Sequence, residues 1–156
     1  MLKRTVHWRW HYRLRQRPHV LIAASDEVGQ ALRLALQARW LLSIALDLSQ
    51  ALTLASALRP SRILVDESLP AAALLIERLK RKPETFSLPI LFLGRVDSQC
   101  EDALHRGAQR VVVAGYPFHA GEITAIQTLL LDARLDAGTE FAPDHNCPAD
   151  AVEQFD

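Results

Sequence analysis

The chain of 156 residues has only two cysteines, Cys100 and Cys147, far apart in sequence. Two thiols without paired spacing argue against a disulfide framework or a thiolate zinc site, and they suit a reduced, cytoplasmic setting. No apolar run approaches the roughly 18 residues of a membrane-spanning helix, so no membrane contact is expected. The basic start has no apolar segment behind it, so a secretory leader is not expected. Glycine is scarce, at six residues. No Gly-x-Gly-x-x-Gly follows the first apolar run, and no phosphate loop ends in Gly-Lys-Ser/Thr. Ser, His and Asp do not stand together, so the sequence reads as non-enzymatic, without a resident cofactor.

Charge of one sign is missing from each end. Residues 1–17 hold Lys3, Arg4, Arg9, Arg13, Arg15 and Arg17 and no carboxylate. Residues 135–156 hold Asp136, Glu140, Asp144, Asp150, Glu153 and Asp156 and no Lys or Arg. Taking six from eighteen of each sign leaves twelve bases and twelve acids between them. The expected division is a basic aromatic arm (1–17), a neutral domain (18–135) and an acidic tail (136–156). The tail carries Gly138, Pro143 and Pro148 without periodicity and reads as disordered.

The middle alternates short apolar runs with helical stripes. Strands are expected at His19–Ala24, Leu42–Leu46, Arg62–Val65, Pro89–Leu93 and Arg110–Ala114. Helices are expected from Val28, from Leu48 to Leu58, around Leu74–Leu79, over 98–106 and over Glu122–Leu135. Uniformly apolar strands, each followed by a helix, indicate a parallel sheet buried on both faces. Five such repeats predict an α/β fold with a five-stranded doubly wound sheet. Chemistry in such sheets gathers at the C-terminal strand ends. Those ends are Ala24–Glu27, Asp66–Pro70, Gly94–Asp97 and Gly115–Phe118.

The strand ends resemble the receiver domain of response regulators. The stretch Ala45–Pro70 follows the family's second strand, second helix and third strand without a gap, and closes on Asp66-x-x-x-Pro70. Pro89-Ile90, Gly107-Ala108 and Pro117-Phe118 fall where the family has the same pairs. The resemblance covers roughly 18–135 and implies a flavodoxin-like (βα)5 fold, with Asp66 at the phosphoacceptor position. It also implies a signalling module of a two-component phosphorelay, here without an output domain. The departures are as informative. The family's metal-holding acidic pair aligns with Ala24 and Ser25, while Asp26 and Glu27 lie two residues late. Its hydroxyl residue after the fourth strand is Gly94, its lysine is Tyr116, and its switch aromatic is Val113.

A phosphorylated aspartate needs a divalent cation, and Mg²⁺ needs several oxygen ligands. The expectation is therefore a degenerate, pseudo-receiver that works through protein contacts. The alternative is a phosphoacceptor that holds Mg²⁺ on a displaced set, Asp26, Glu27 and Asp66. Contacts, including a homodimer, are expected from Ser98–Leu135, where one residue of Leu129-Leu130-Leu131 must face outward. Val6, Trp8, Trp10, Tyr12 and Leu14 alternate with His7, Arg9, His11, Arg13 and Arg15, which is a strand period. Such a strand suits a sheet edge, its own or a partner's. Less favoured is nucleic acid, with bases stacked on Trp8 and Trp10 and phosphates held by Arg9 and Arg13.

Overall fold

A computed structural model of the protein describes residues 17–132. The arm residues Trp8, Arg9, Trp10, Tyr12 and Arg13, and the acidic tail, lie outside the described residues. Five parallel strands, β1 (His19–Ala23), β2 (Leu41–Ala45), β3 (Arg62–Asp66), β4 (Ile90–Gly94) and β5 (Arg110–Val113), form one sheet in the order β2-β1-β3-β4-β5. Between and after them run α1 (Asp26–Leu36), α2 (Leu48–Leu58), α3 (Ala72–Arg81), α4 (Asp97–Arg106) and α5 (Ala120–Leu131).

The strand sequences dictate a two-sided core. In β1 the chain turns Leu21 and Ala23 to one face and Val20 and Ile22 to the other, all at 0% exposure. The first face packs under α2, α3 and α4 through residues such as Ala51, Leu75, Leu79 and Ala103. The second packs under α1 and α5 through Val28, Leu32, Ile126 and Leu130. Each buried Leu or Ile contributes ~1.5–3 kcal/mol, so the strand and helix residues of the two faces together drive the fold.

Several boundaries differ from the sequence expectation. Helix α1 starts at Asp26 instead of Val28, because the Ser25 side chain caps it and accepts from the Val28 N–H at 3.5 Å. Helix α5 starts at Ala120 because the Glu122 carboxylate accepts the His119 N–H at 3.0 Å. It ends at Leu131, short of Leu135, where buried Arg62 of β3 donates to the carbonyls of Leu130 and Asp132. A cation at the open carbonyls suits the negative end of the helix. Helix α3 begins at Ala72 behind Ala71, which sits in the left-handed region at φ 60°. At its other end buried Thr85 donates to the Leu79 carbonyl at 2.7 Å. Lys80 donates to the carbonyls of Phe86 and Leu88, and burial lowers its pKa to about 8.

Candidate functional site

The sheet delivers the C-terminal ends of β1, β3 and β4 to one cleft, and Asp66 ends the central strand β3. Its side chain is buried, at 4% exposure. Oδ1 accepts the Ser68 N–H at 2.9 Å. An aspartate bonded to the amide two residues on is an Asx turn, which fixes the loop leaving the strand. Ser68 is fixed in turn, because its hydroxyl accepts the Ser25 N–H at 3.1 Å. The β1–α1 connection and the phosphoacceptor-like loop are thus tied together through Ser68.

Burial raises the Asp66 pKa. The Ser68 hydrogen bonds and the charge of Arg95 pull it back, while Glu67 pushes it up. Arg95 follows Gly94 at the end of β4. Its Nε pairs with Glu67 Oε2 at 3.2 Å. Glu67 Oε1 also accepts from Gln99 Nε2 at 3.1 Å, and Gln99 Oε1 accepts the Arg95 N–H at 2.8 Å. The aliphatic stem of Arg95 runs beside Gly115, 3.9 Å from where a β-carbon there would stand. It therefore occupies ground between β4 and the loop that carries Tyr116. A cavity of about 270 Å³ opens next to this network, lined by Glu67, Leu69, Ala72, Phe92, Gln99 and Ala103.

Three of the positions that depart from the receiver pattern, Ala24, Ser25 and Gly94, have a local cause. Ala24 is fully buried and Ser25 caps α1, so neither offers a carboxylate. A β-carbon on Gly94 would stand 2.7 Å from Cys100 Sγ and 3.0 Å from Phe92 Cε1, so packing under α4 selects glycine there. Tyr116 is 39% exposed, precedes a cis bond to Pro117 and stacks edge-on with Phe118 at 6.2 Å.

The proposed ligand set of Asp26, Glu27 and Asp66 is not assembled. Asp26 and Glu27 lie exposed in the first turn of α1 and do not figure among the charges acting on Asp66. Among the described residues no group of three or more His, Cys, Asp or Glu side chains is placed to hold a metal. The cause is the Ser25 cap, which commits the two acidic residues to the helix. Ser68, Glu67, Arg95 and Gln99 were not singled out from sequence. Arg95 does carry a signal, since it sits among the strand-end residues and bears the charge missing at Tyr116.

No protein-family model matches the chain, and no curated protein matches its sequence. Solved structures do. A response regulator from Chloroflexus aurantiacus J-10-fl superposes with a TM-score of 0.65 at 23% identity, over 79% of this chain and 100% of the other. The chemotaxis response regulator CheY4 of Vibrio cholerae matches with a TM-score of 0.65 at 21% identity, over 74% and 100%. The chain has the receiver fold. A third match is the receiver domain of the sensor histidine kinase PA1611 of Pseudomonas aeruginosa, with a TM-score of 0.64, 20% identity, and coverage of 78% and 98%. That receiver was solved with a magnesium ion coordinated in its active-site cleft. The receiver-fold cleft of the present chain does not fit such an ion. Asp66 has one oxygen taken by Ser68, Glu67 is held by Arg95 and Gln99, and Ala24 and Ser25 add no anionic oxygen. No helix among the described residues is long and apolar enough to cross a membrane.

Proposed function

We propose that this protein is a non-enzymatic, receiver-type signalling module that acts through protein contacts, without Mg²⁺-dependent switching at Asp66. The observation that carries the reading is the state of that carboxylate. It is buried and hydrogen-bonded to the loop it belongs to, and the charges that act on it are those of Arg95 and Glu67, not of an acidic pair after β1. A dianionic phosphoryl group at that point would meet the negative charge of Glu67, with no acidic pair present to hold an offsetting cation. The Ser68 bridge from Asp66 to Ser25 makes the carboxylate a structural element of the cleft. The contact surface in this reading is α4, β5 and α5. There Leu104, Val113, Tyr116 and Leu131 are all more than a third exposed. Its occupant is a protein partner or a second copy, in the cytoplasm.

A second reading keeps Asp66 as a phosphoacceptor, and the favouring observation is the favourable charge of Arg95 on Asp66. Incubation with a small phosphodonor and Mg²⁺, read by intact mass, separates the two. The expected result is no phosphoryl adduct. An adduct that disappears in Asp66→Asn would overturn the first reading.

A further inference from the structure

Strand β2 is one edge of the sheet and pairs only with β1 among the described residues. The Leu41 N–H donates to the Pro18 carbonyl at 3.1 Å, and the Ala45 carbonyl accepts from the Ala24 N–H at 3.2 Å. Strand alternation then turns the backbone N–H and C=O of Leu42 and Ile44 outward, to the open edge. Exposed edges are ordinarily guarded by charge, by proline or by cover. The β2 sequence Leu41-Leu42-Ser43-Ile44-Ala45 has neither charge nor proline. Leu41 is 49% exposed and Leu46 44% exposed, while Leu42 and Ile44 are half-buried. This edge has the make-up of a strand that is covered.

The chain itself enters the domain one strand in from this edge, since Pro18 leads into β1 and its carbonyl accepts the Leu41 N–H. Just upstream stands the one segment with a strict strand period outside the sheet, residues 5–15. We propose that residues 5–15 add to β2 of the same chain as a sixth, antiparallel strand. Trp8, Trp10 and Tyr12 then lie on the face shared by Leu42 and Ile44. The distances allow it. A strand beyond β2 lies two spacings from β1, roughly 9.6 Å. Gln16, Arg17 and Pro18 together reach about 10 Å. The direction follows from the connection, because a short link from the arm into β1 brings the arm back antiparallel. The occupant is the chain's own arm because so short a tether gives it an effective concentration in the millimolar range, which a second copy must outcompete. The charge pattern fits as well. The new outer edge would present Arg9, Arg13 and Arg15 on its other face and supply the guarding charge that β2 lacks. This inference is independent of the chemistry at Asp66.

Hydrogen exchange on the full-length chain tests it, at two protein concentrations about tenfold apart. Protection is expected at Leu42, Ile44 and alternate amides of residues 6–14, equal at both concentrations. In a Trp8→Ser/Trp10→Ser variant that protection should fall at least about tenfold. The β1 and β3 amides should keep theirs, which shows that the domain is still folded. Unprotected arm amides in the full-length chain would overturn the proposal. So would protection that appears only with dimer at the higher concentration, since the covering strand would then come from a second copy.

Discussion

At the residue scale the informative group is Asp66. Its carboxylate is buried, and that burial raises its pKa against the pull of Ser68 and Arg95. A carboxyl whose folded pKa is raised destabilises the native state when ionised. The stability it withholds returns as pH falls through the raised value towards the unfolded 3.8. Asp66→Asn keeps an oxygen for the Ser68 N–H and removes the charge. The variant should therefore unfold at a higher denaturant concentration than the parent at pH 7, and the two should converge as pH is lowered. Equal midpoints at every pH would mean that the carboxylate is not desolvated. The position of Asp66 was legible in the sequence from the ungapped Ala45–Pro70 stretch. Its bond to Ser68 was not, because it forms through loop geometry that no periodicity encodes.

At the scale of elements, the junction of β4 and α4 decides what the cleft can contain. Gly94 ends β4 and meets Cys100 of α4 so closely that any β-carbon overlaps the sulfur. Gly94→Ser, which would restore the receiver hydroxyl, should cost about 1–3 kcal/mol through overpacking. Cys100→Ala in the same chain should recover part of that loss, because the two positions share one space and their effects are not additive. Thermal or chemical unfolding of the two single variants and the double variant checks this, and strict additivity would contradict it. A comparable close approach holds α4 at its other end. Gly107, at φ 120°, would put a β-carbon 2.7 Å from Lys80 Cγ, so both backbone and packing require glycine there. The Gly107 stop of α4 was readable from the residue itself. The Gly94 constraint was not, since it arises from a neighbour in space.

At the scale of the whole molecule, the two sheet edges have different characters. On the β5 side Val113, at the C-terminal end of β5, is 49% exposed, and Leu131, at the far end of α5, is 54% exposed. If this face carries contacts, a double Val113→Arg/Leu131→Arg variant should sediment as a monomer where the parent self-associates. Its unfolding free energy should stay within about 0.5 kcal/mol of the parent's, as expected for exposed positions. Self-association that is unchanged in the variant would place the contact elsewhere.

The sequence by itself determined the five β-α repeats, the parallel sheet, the rank of Asp66 at the end of β3 and the absence of an acidic pair at Ala24 and Ser25. Hydrophobic period and strand-end chemistry are properties of consecutive residues, so they can be read along the chain. Of Leu129, Leu130 and Leu131, sequence required one to face outward; packing against the sheet made it Leu131. The local Ser25 cap placed Asp26 and Glu27 in helix α1, and the tertiary structure left them apart from Asp66. Only the tertiary structure joined Ser25, Ser68 and Asp66 in one network, and brought Arg95 to the cleft beside Glu67 and Gln99. The Ser25 cap acts within three residues, whereas the cleft network depends on which loops the sheet order makes neighbours, and that is set by residues distant in sequence.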